Sequence, residues 1–205
     1  DFCLSRGLGD VYKRQQIVSV SRSLAKIVAE RLGLDVSSIK VIHNGINISR
    51  YEHICYNKET VEGSLLEDKH VILFVGRLEH RKGVETLYRA IPKVLESEKD
   101  ILVVFAGADT FTAPNKESYR QYLLRRARAD GIEDKIWILG RVSEERKMEL
   151  YGSCDVVCIP SIYEAFSYTC LEAMVFSKPP IGVTAGGMDE VIENWRTGVL
   201  IPPND

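Results

Sequence analysis

The chain has 205 residues, 45% hydrophobic and 27% charged, with a formal net charge of −2 and a pI near 6.2. That is enough apolar material for a sizeable globular core. The balance excludes a dedicated nucleic-acid or anionic-membrane binder, whose affinity rests on a basic surface.

No run of about 18 apolar residues is present to span a bilayer, and no secretory signal pattern is visible. Five cysteines (Cys3, Cys55, Cys154, Cys158 and Cys170) form no C-x-x-C pair and have no His at zinc spacing. The last three lie in apolar segments, where a free thiol packs as a small core residue. A reducing cytoplasm is the expected setting.

Residues 1–15 (DFCLSRGLGDVYKRQ) show no hydrophobic period. Read back into codons, 5–15 look like a transposon-based sequencing adapter in frame, so 1–15 are expected to be an artefact and are set aside. Leu24, Ile27, Val28 and Leu32 then recur at helical spacing between Ser21, a candidate N-cap, and Gly33, a candidate C-cap. A short strand, KVIHNGIN, follows, with a turn at Asn44-Gly45. The polar stretch 48–69 reads as a connector.

From residue 71 the pattern is regular. Continuous apolar runs at 71–76, 101–107, 136–140, 155–160, 180–183 and 198–201 predict strands buried on both faces. Helical patterns lie between them at 84–98, 117–129, after the candidate N-cap Ser143, and around 168–176 and 188–194. Pro92 implies a kink or a late start in the first of these. Arg125, Arg126 and Arg128 in the second read as a solvated face. Strands alternating with helices predict an α/β fold with a parallel, doubly wound, Rossmann-like sheet, in which ligands bind beyond the carboxyl ends of the strands.

Four strand-to-helix loops therefore carry the candidate chemistry. The first runs from Gly76 through Arg77, His80 and Lys82 to Gly83; its cations can meet an anion, Arg as a fork and Lys as a point charge. A solvated basic turn would look the same, and His80 reads as a bystander. The second contains Glu164, Ala165, Phe166 and Ser167 and opens a helix, whose unpaired N–H groups favour anions. Glu164 and Glu172, eight residues apart, flank it. A carboxylate repels phosphate, so each is expected to accept from hydroxyl groups; a dipole partner and an exposed helix residue are the plainer readings. The third, Gly140-Arg141-Val142-Ser143, has a backbone suited to a flat base edge or to nothing at all. The fourth, 184–190, is glycine-rich. A diphosphate between two polyhydroxylated parts would suit this layout.

There is no G-x-G-x-x-G after any strand, which argues against a dinucleotide oxidoreductase, and no G-K-[ST] phosphate loop. No Asp-x-Asp or His pair suits a metal. No cofactor or metal is expected, and a leaving diphosphate would be stabilised by Arg77, Lys82 and the helix N-terminus.

GRLEHRKG resembles the G-R-L-x-x-x-K-G loop of the large group 1 (family 4) retaining glycosyltransferases of the GT-B fold. EAFSYTCLE is similar to that family's E-x7-E motif, AGGMDE to its G-G-x-x-E turn, and VIHNGIN to the stretch between its two domains. The resemblance implies transfer of a sugar from a nucleoside diphosphate to an acceptor hydroxyl, with retention and without a metal. It implies that Arg77 and Lys82 bind the diphosphate and that Glu164 holds the transferred sugar. Glu172 would hold the ribose and Val142 lie against the base, with Gly76 and Arg141 also lining the donor site and backbone at 165–167 approaching sugar and phosphate. Residues 16–50 would end the acceptor domain, 51–69 connect, and 70–205 form a donor domain cut short at its C-terminus. The acceptor, a sugar or a lipid-linked one, would belong to a missing half. The fragment is then expected to bind nucleotide without turnover, and the full protein to be cytoplasmic or peripheral at the inner membrane face. The family often has Gly-Phe-Gly where this chain has Ala165-Phe166-Ser167, so side chains there are expected to narrow the pocket.

Overall fold

All six residues of the run ILVVFA are buried, which only a strand covered on both faces achieves. This strand, β4 (Ile101–Ala106), sits in a six-stranded parallel sheet ordered β5-β4-β3-β6-β7-β8. The computed structural model describes residues 16–51 and 69–203. The expected adapter at 1–15, Cys3, Cys55, connector residues 52–68 and residues 204–205 lie outside them.

The other strands of the sheet are β3 (His70–Val75), β5 (Ile136–Gly140), β6 (Val156–Ile159), β7 (Pro180–Val183) and β8 (Val199–Ile201). Register is fixed by the core: Leu73 pairs with Val104 on one side and Val157 on the other. Val103 and Phe105 face α2 (Val84–Ser97) and α3 (Tyr119–Ala129), where Leu87, Tyr88, Ile91 and Leu123 cover them. Leu102, Val104 and Ala106 face α4 (Glu144–Ser153) and α5 (Tyr168–Val175), packed by Tyr151, Cys154, Cys170 and Phe176.

The N-terminal part is a separate two-stranded parallel sheet, β1 (Ile17–Ser19) with β2 (Ile39–Val41), and α1 (Arg22–Leu32) packed on it. Ser21 caps α1 by accepting from the Leu24 N–H, and Gly33 ends it, as the sequence predicts. From β2 the chain crosses to the larger sheet, where Ile46 and Tyr51 join the α4–α5 core and Tyr51 meets Phe176 edge-on.

Three expectations need correction. The helix at 188–194 is a single turn of 3-10 helix, Met188–Glu190; it lacks a side-chain N-cap, and its glutamate points away to another helix. Pro92 does not delay α2, which begins at Val84 and runs through it, with the proline ring on the exposed side. The arginine cluster is not uniformly solvated. Arg125 and Arg128 are exposed and paired to Glu117 and Glu133, but Arg126 lies 4.3 Å over the Tyr88 ring and pairs with Glu85. Cys154, Cys158 and Cys170 are buried thiols, and burial pushes those of Cys158 and Cys170 up to about 12, which suits core packing.

Candidate functional site

In the strand order, the chain leaves β3 toward β4 and β5 on one side and leaves β6 toward β7 and β8 on the other. Loops diverging at the carboxyl ends of β3 and β6 open a crevice, the expected ligand position in such sheets. Both loops identified from sequence start there.

They are locked together by backbone contact. Gly83 has φ +70, a conformation that L side chains rarely adopt, and a Cβ on it would lie 1.8 Å from the Pro160 carbonyl oxygen. The Ile162 N–H donates to the Arg81 carbonyl at 2.9 Å. This approach carries Lys82 to Glu164: Nζ to Oε2 is 2.7 Å, with the side chains 22% and 16% exposed. Arg77 is exposed and turns to Glu79, which is buried and also accepts from Arg81. His80 is exposed within a 3-10 turn.

Behind Glu164 the chain runs into α5, whose first-turn amides have no intrahelical partner. Here an expectation fails in detail. The Ser167 hydroxyl accepts from the Cys170 N–H and is buried, so it caps the helix instead of narrowing the crevice. Phe166 is buried, its ring 5.5 Å from the His43 ring and near-parallel to it. Ala165 is partly exposed. The glycine turn packs under the same segment: the Gly187 N–H donates to the Glu164 carbonyl at 2.8 Å, and a Cβ on Gly186 would lie 2.1 Å from that oxygen.

Glu172 is not an exposed helix residue. It is 13% exposed, its Oε1 accepting from Lys147 and its Oε2 from the Tyr151 hydroxyl, both at 2.8 Å. Burial alone would lower the Lys147 pKa, but Glu172 and Glu144 hold it above the ordinary lysine value. Burial, and then the Glu172 charge, push Tyr151 well above 10. Lys147 and Tyr151 are absent from the sequence-derived site, although their spacing on a helix opened by Ser143 puts both on one face. Val142 packs on the α4–α5 core, Arg141 is exposed, and Gly140 accepts from the Gly107 N–H.

One further contact reaches the N-terminal unit. Glu190, 7% exposed, accepts from the backbone N–H groups of Arg22 and Ser23 and lies 2.9 Å from His43 Nε2. Burial would raise its pKa, yet these contacts with Arg22, His43 and Ser23 hold it below the usual carboxylate value. The structure thus sets Lys82 with Glu164 before the start of α5 and Lys147 with Glu172 within its first turns. Such a set can bind an anion flanked by hydroxyl-bearing groups. Among the described residues no cluster of three His, Cys, Asp or Glu side chains is placed to hold a metal. No helix among them is long and apolar enough to cross a membrane.

Comparison with known proteins meets this geometry. The chain is 34% identical over 95% of its length to an uncharacterised glycosyltransferase of Methanocaldococcus jannaschii, and covers 48% of that protein. It is 27% identical over 95% of its length to a glycogen synthase of Mycobacterium tuberculosis, covering 44% of it. It therefore spans about half the length of the curated relatives it matches. Its fold superimposes on a glycosyltransferase from Rickettsia africae with a TM-score of 0.78 at 24% identity, over 98% of this chain and 54% of that one. It also superimposes on the Anabaena protein HepE, solved in complex with UDP, with a TM-score of 0.75 at 23% identity, over 92% of this chain and 50% of that one. Residues 57–205 match the family described as glycosyl transferases group 1, and the chain belongs to that family.

Proposed function

We propose that residues 70–205 form the donor-binding part of a retaining glycosyltransferase that moves a sugar from a nucleoside diphosphate to an acceptor hydroxyl. The observation that carries this reading is the Lys82–Glu164 pair at the mouth of the β3–β6 crevice, beside the start of α5. Lys82 and Arg77 meet the diphosphate, Glu164 takes a hydroxyl of the transferred sugar, and Glu172 takes the ribose. The supporting likeness includes HepE, whose structure holds UDP. As the sugar leaves, negative charge grows on the diphosphate, where Lys82 and the α5 amides lower the barrier without a metal. Positioning supplies the rest, and the departing phosphate assists removal of the acceptor proton on the same face.

Residues 16–50 are assigned to the end of an acceptor domain. The acceptor, a sugar or a lipid-linked one, binds the remainder of that half, as does any membrane surface, so this chain alone binds nucleotide without turning over. Titration calorimetry with UDP, GDP and ADP tests the reading. At least one nucleotide is expected to bind, and Lys82→Ala to weaken it by about 1.5–3 kcal/mol, the worth of a charge-assisted contact. A folded chain that binds none of the three overturns it.

A further inference from the structure

Glu190 is a nearly buried acidic side chain with no part in the proposed donor contacts. Its carboxylate lies at the N-terminus of α1: Oε2 accepts from the Arg22 N–H at 3.0 Å and Oε1 from the Ser23 N–H at 3.1 Å. An anion there is favoured by the helix dipole and fills two of the four amide positions that a helix start leaves open. The N–H of Leu24 already has Ser21 as its partner, so the cap of α1 is built jointly by its own serine and a glutamate 168 residues away.

The same carboxylate holds His43 Nε2 at 2.9 Å. The His43 ring lies against Phe166, with centroids 5.5 Å apart and planes at 29°. Beneath it the fit is close: a Cβ on Gly187 would sit 2.8 Å from the Ser21 Cβ and 2.3 Å from the Ala165 carbonyl oxygen. Two connections therefore run from the β1–α1–β2 unit to the 164–167 segment. One passes through His43 onto Phe166. The other runs from α1 through Glu190 and Gly187 to the Glu164 carbonyl.

We propose that His43 and Glu190 are positioning residues that clamp the N-terminal unit to the 164–167 segment and fix the backbone of that segment for the donor. That the donor lies there rests on the proposed function; the clamp itself does not. Neither residue touches the donor, so each acts through Phe166 or the glycine turn. A ring against a ring and a carboxylate across a helix start both have narrow geometry, which lets them set the segment's position as well as attach it.

The test is NMR-detected amide exchange on the 205-residue chain without nucleotide, comparing Glu190→Ala, His43→Ala and His43→Phe. Glu190→Ala is expected to speed exchange at Arg22, Ser23 and residues 164–168 by on the order of tenfold, with β4 unchanged. His43→Ala is expected to speed 164–168 alone, and His43→Phe, which keeps a ring against Phe166, to restore part of that protection. Unchanged exchange at 164–168 in both alanine variants, with the Arg22 and Ser23 amides released by Glu190→Ala, would reduce Glu190 to a cap and overturn the proposal. Equal acceleration in β4 would mark general unfolding and overturn it as well. Because no nucleotide is present, failure to bind UDP, GDP or ADP would strike only the donor reading, and a silent 164–168 segment only the clamp.

Discussion

Glu164 and Glu172 sit eight residues apart, are buried to nearly the same degree, and are held in opposite ways. Glu164 is in a loop and has one side-chain partner among the described residues, Lys82, through one oxygen. Glu172 is on a helix and has both oxygens occupied, by Lys147 and Tyr151 from α4. A single ion pair between two loops can open to admit a ligand at the cost of one contact. A carboxylate fixed by two donors on a packed helix is set in advance, with its remaining lone pairs directed by those donors. The crevice therefore has an adaptable mouth and a rigid flank, and substitutions in the two places are expected to differ in kind.

The largest effect is expected at the contact that creates the mouth. Gly83→Ala would put a methyl group 1.8 Å from the Pro160 carbonyl oxygen while φ is +70. Backbone cannot yield there without parting the two loops, so a loss above about 3 kcal/mol in urea unfolding is expected. Gly131→Ala is the control. Its φ is +67, but nothing lies within 4 Å of the added carbon, so only the conformational cost of about 1–2 kcal/mol remains. Equal losses at the two glycines would mean that the loops are not held by this approach.

Lys147→Met comes next. It keeps the length of the side chain and removes the cation from Glu172 and Glu144, leaving Glu172 charged and 13% exposed with one partner. A loss of about 2–3 kcal/mol in stability is expected, less than for a fully buried pair because some water reaches the site. Nucleotide affinity should fall with it. A Lys147→Met protein as stable as the parent would show that the flank is no more rigid than the mouth.

The fold was legible because its signals are local. Continuous apolar runs mark β5 and β7 to the residue, and Ser21, Gly33 and Ser143 mark helix ends by chemistry that acts within one turn. What failed was mostly non-local. Met188 and Ile192 have helical spacing and are buried, yet the turn is not extended, because the Glu193 N–H donates to the Thr197 hydroxyl instead. Arg126 looks like its exposed neighbours until Tyr88 and Glu85 from α2 are placed beneath it. The motif letters single out Lys82, Glu164 and Glu172 as candidates, but not what holds them. Lys147 and Tyr151 lie 25 and 21 residues from Glu172, and no spacing rule links residues on different helices. Ser167 departs from the family pattern, and nothing in the letters shows that its hydroxyl serves the cap.

The smallest expected effect separates the flank by pH. Tyr151 is buried, and burial first, then the Glu172 charge, raise its pKa well above the value of 10 it has when exposed. A raised folded pKa means that the folded chain keeps a proton which the unfolded chain releases. Below pH 10 the two states hold the same proton and Tyr151 adds no slope. Above pH 10 the unfolded state is favoured by about 1.4 kcal/mol for each pH unit, until the folded value is reached. Tyr151→Phe removes that titration along with one neutral-to-charged hydrogen bond, so it should cost roughly 1–2 kcal/mol at pH 8. The deficit should then shrink as the pH rises from 10 to 11. Urea midpoints at pH 8, 10 and 11 read both quantities together. A deficit that stays constant across that range would mean that the Tyr151 proton is lost as easily in the folded protein, and that its hydroxyl is not what fixes Glu172.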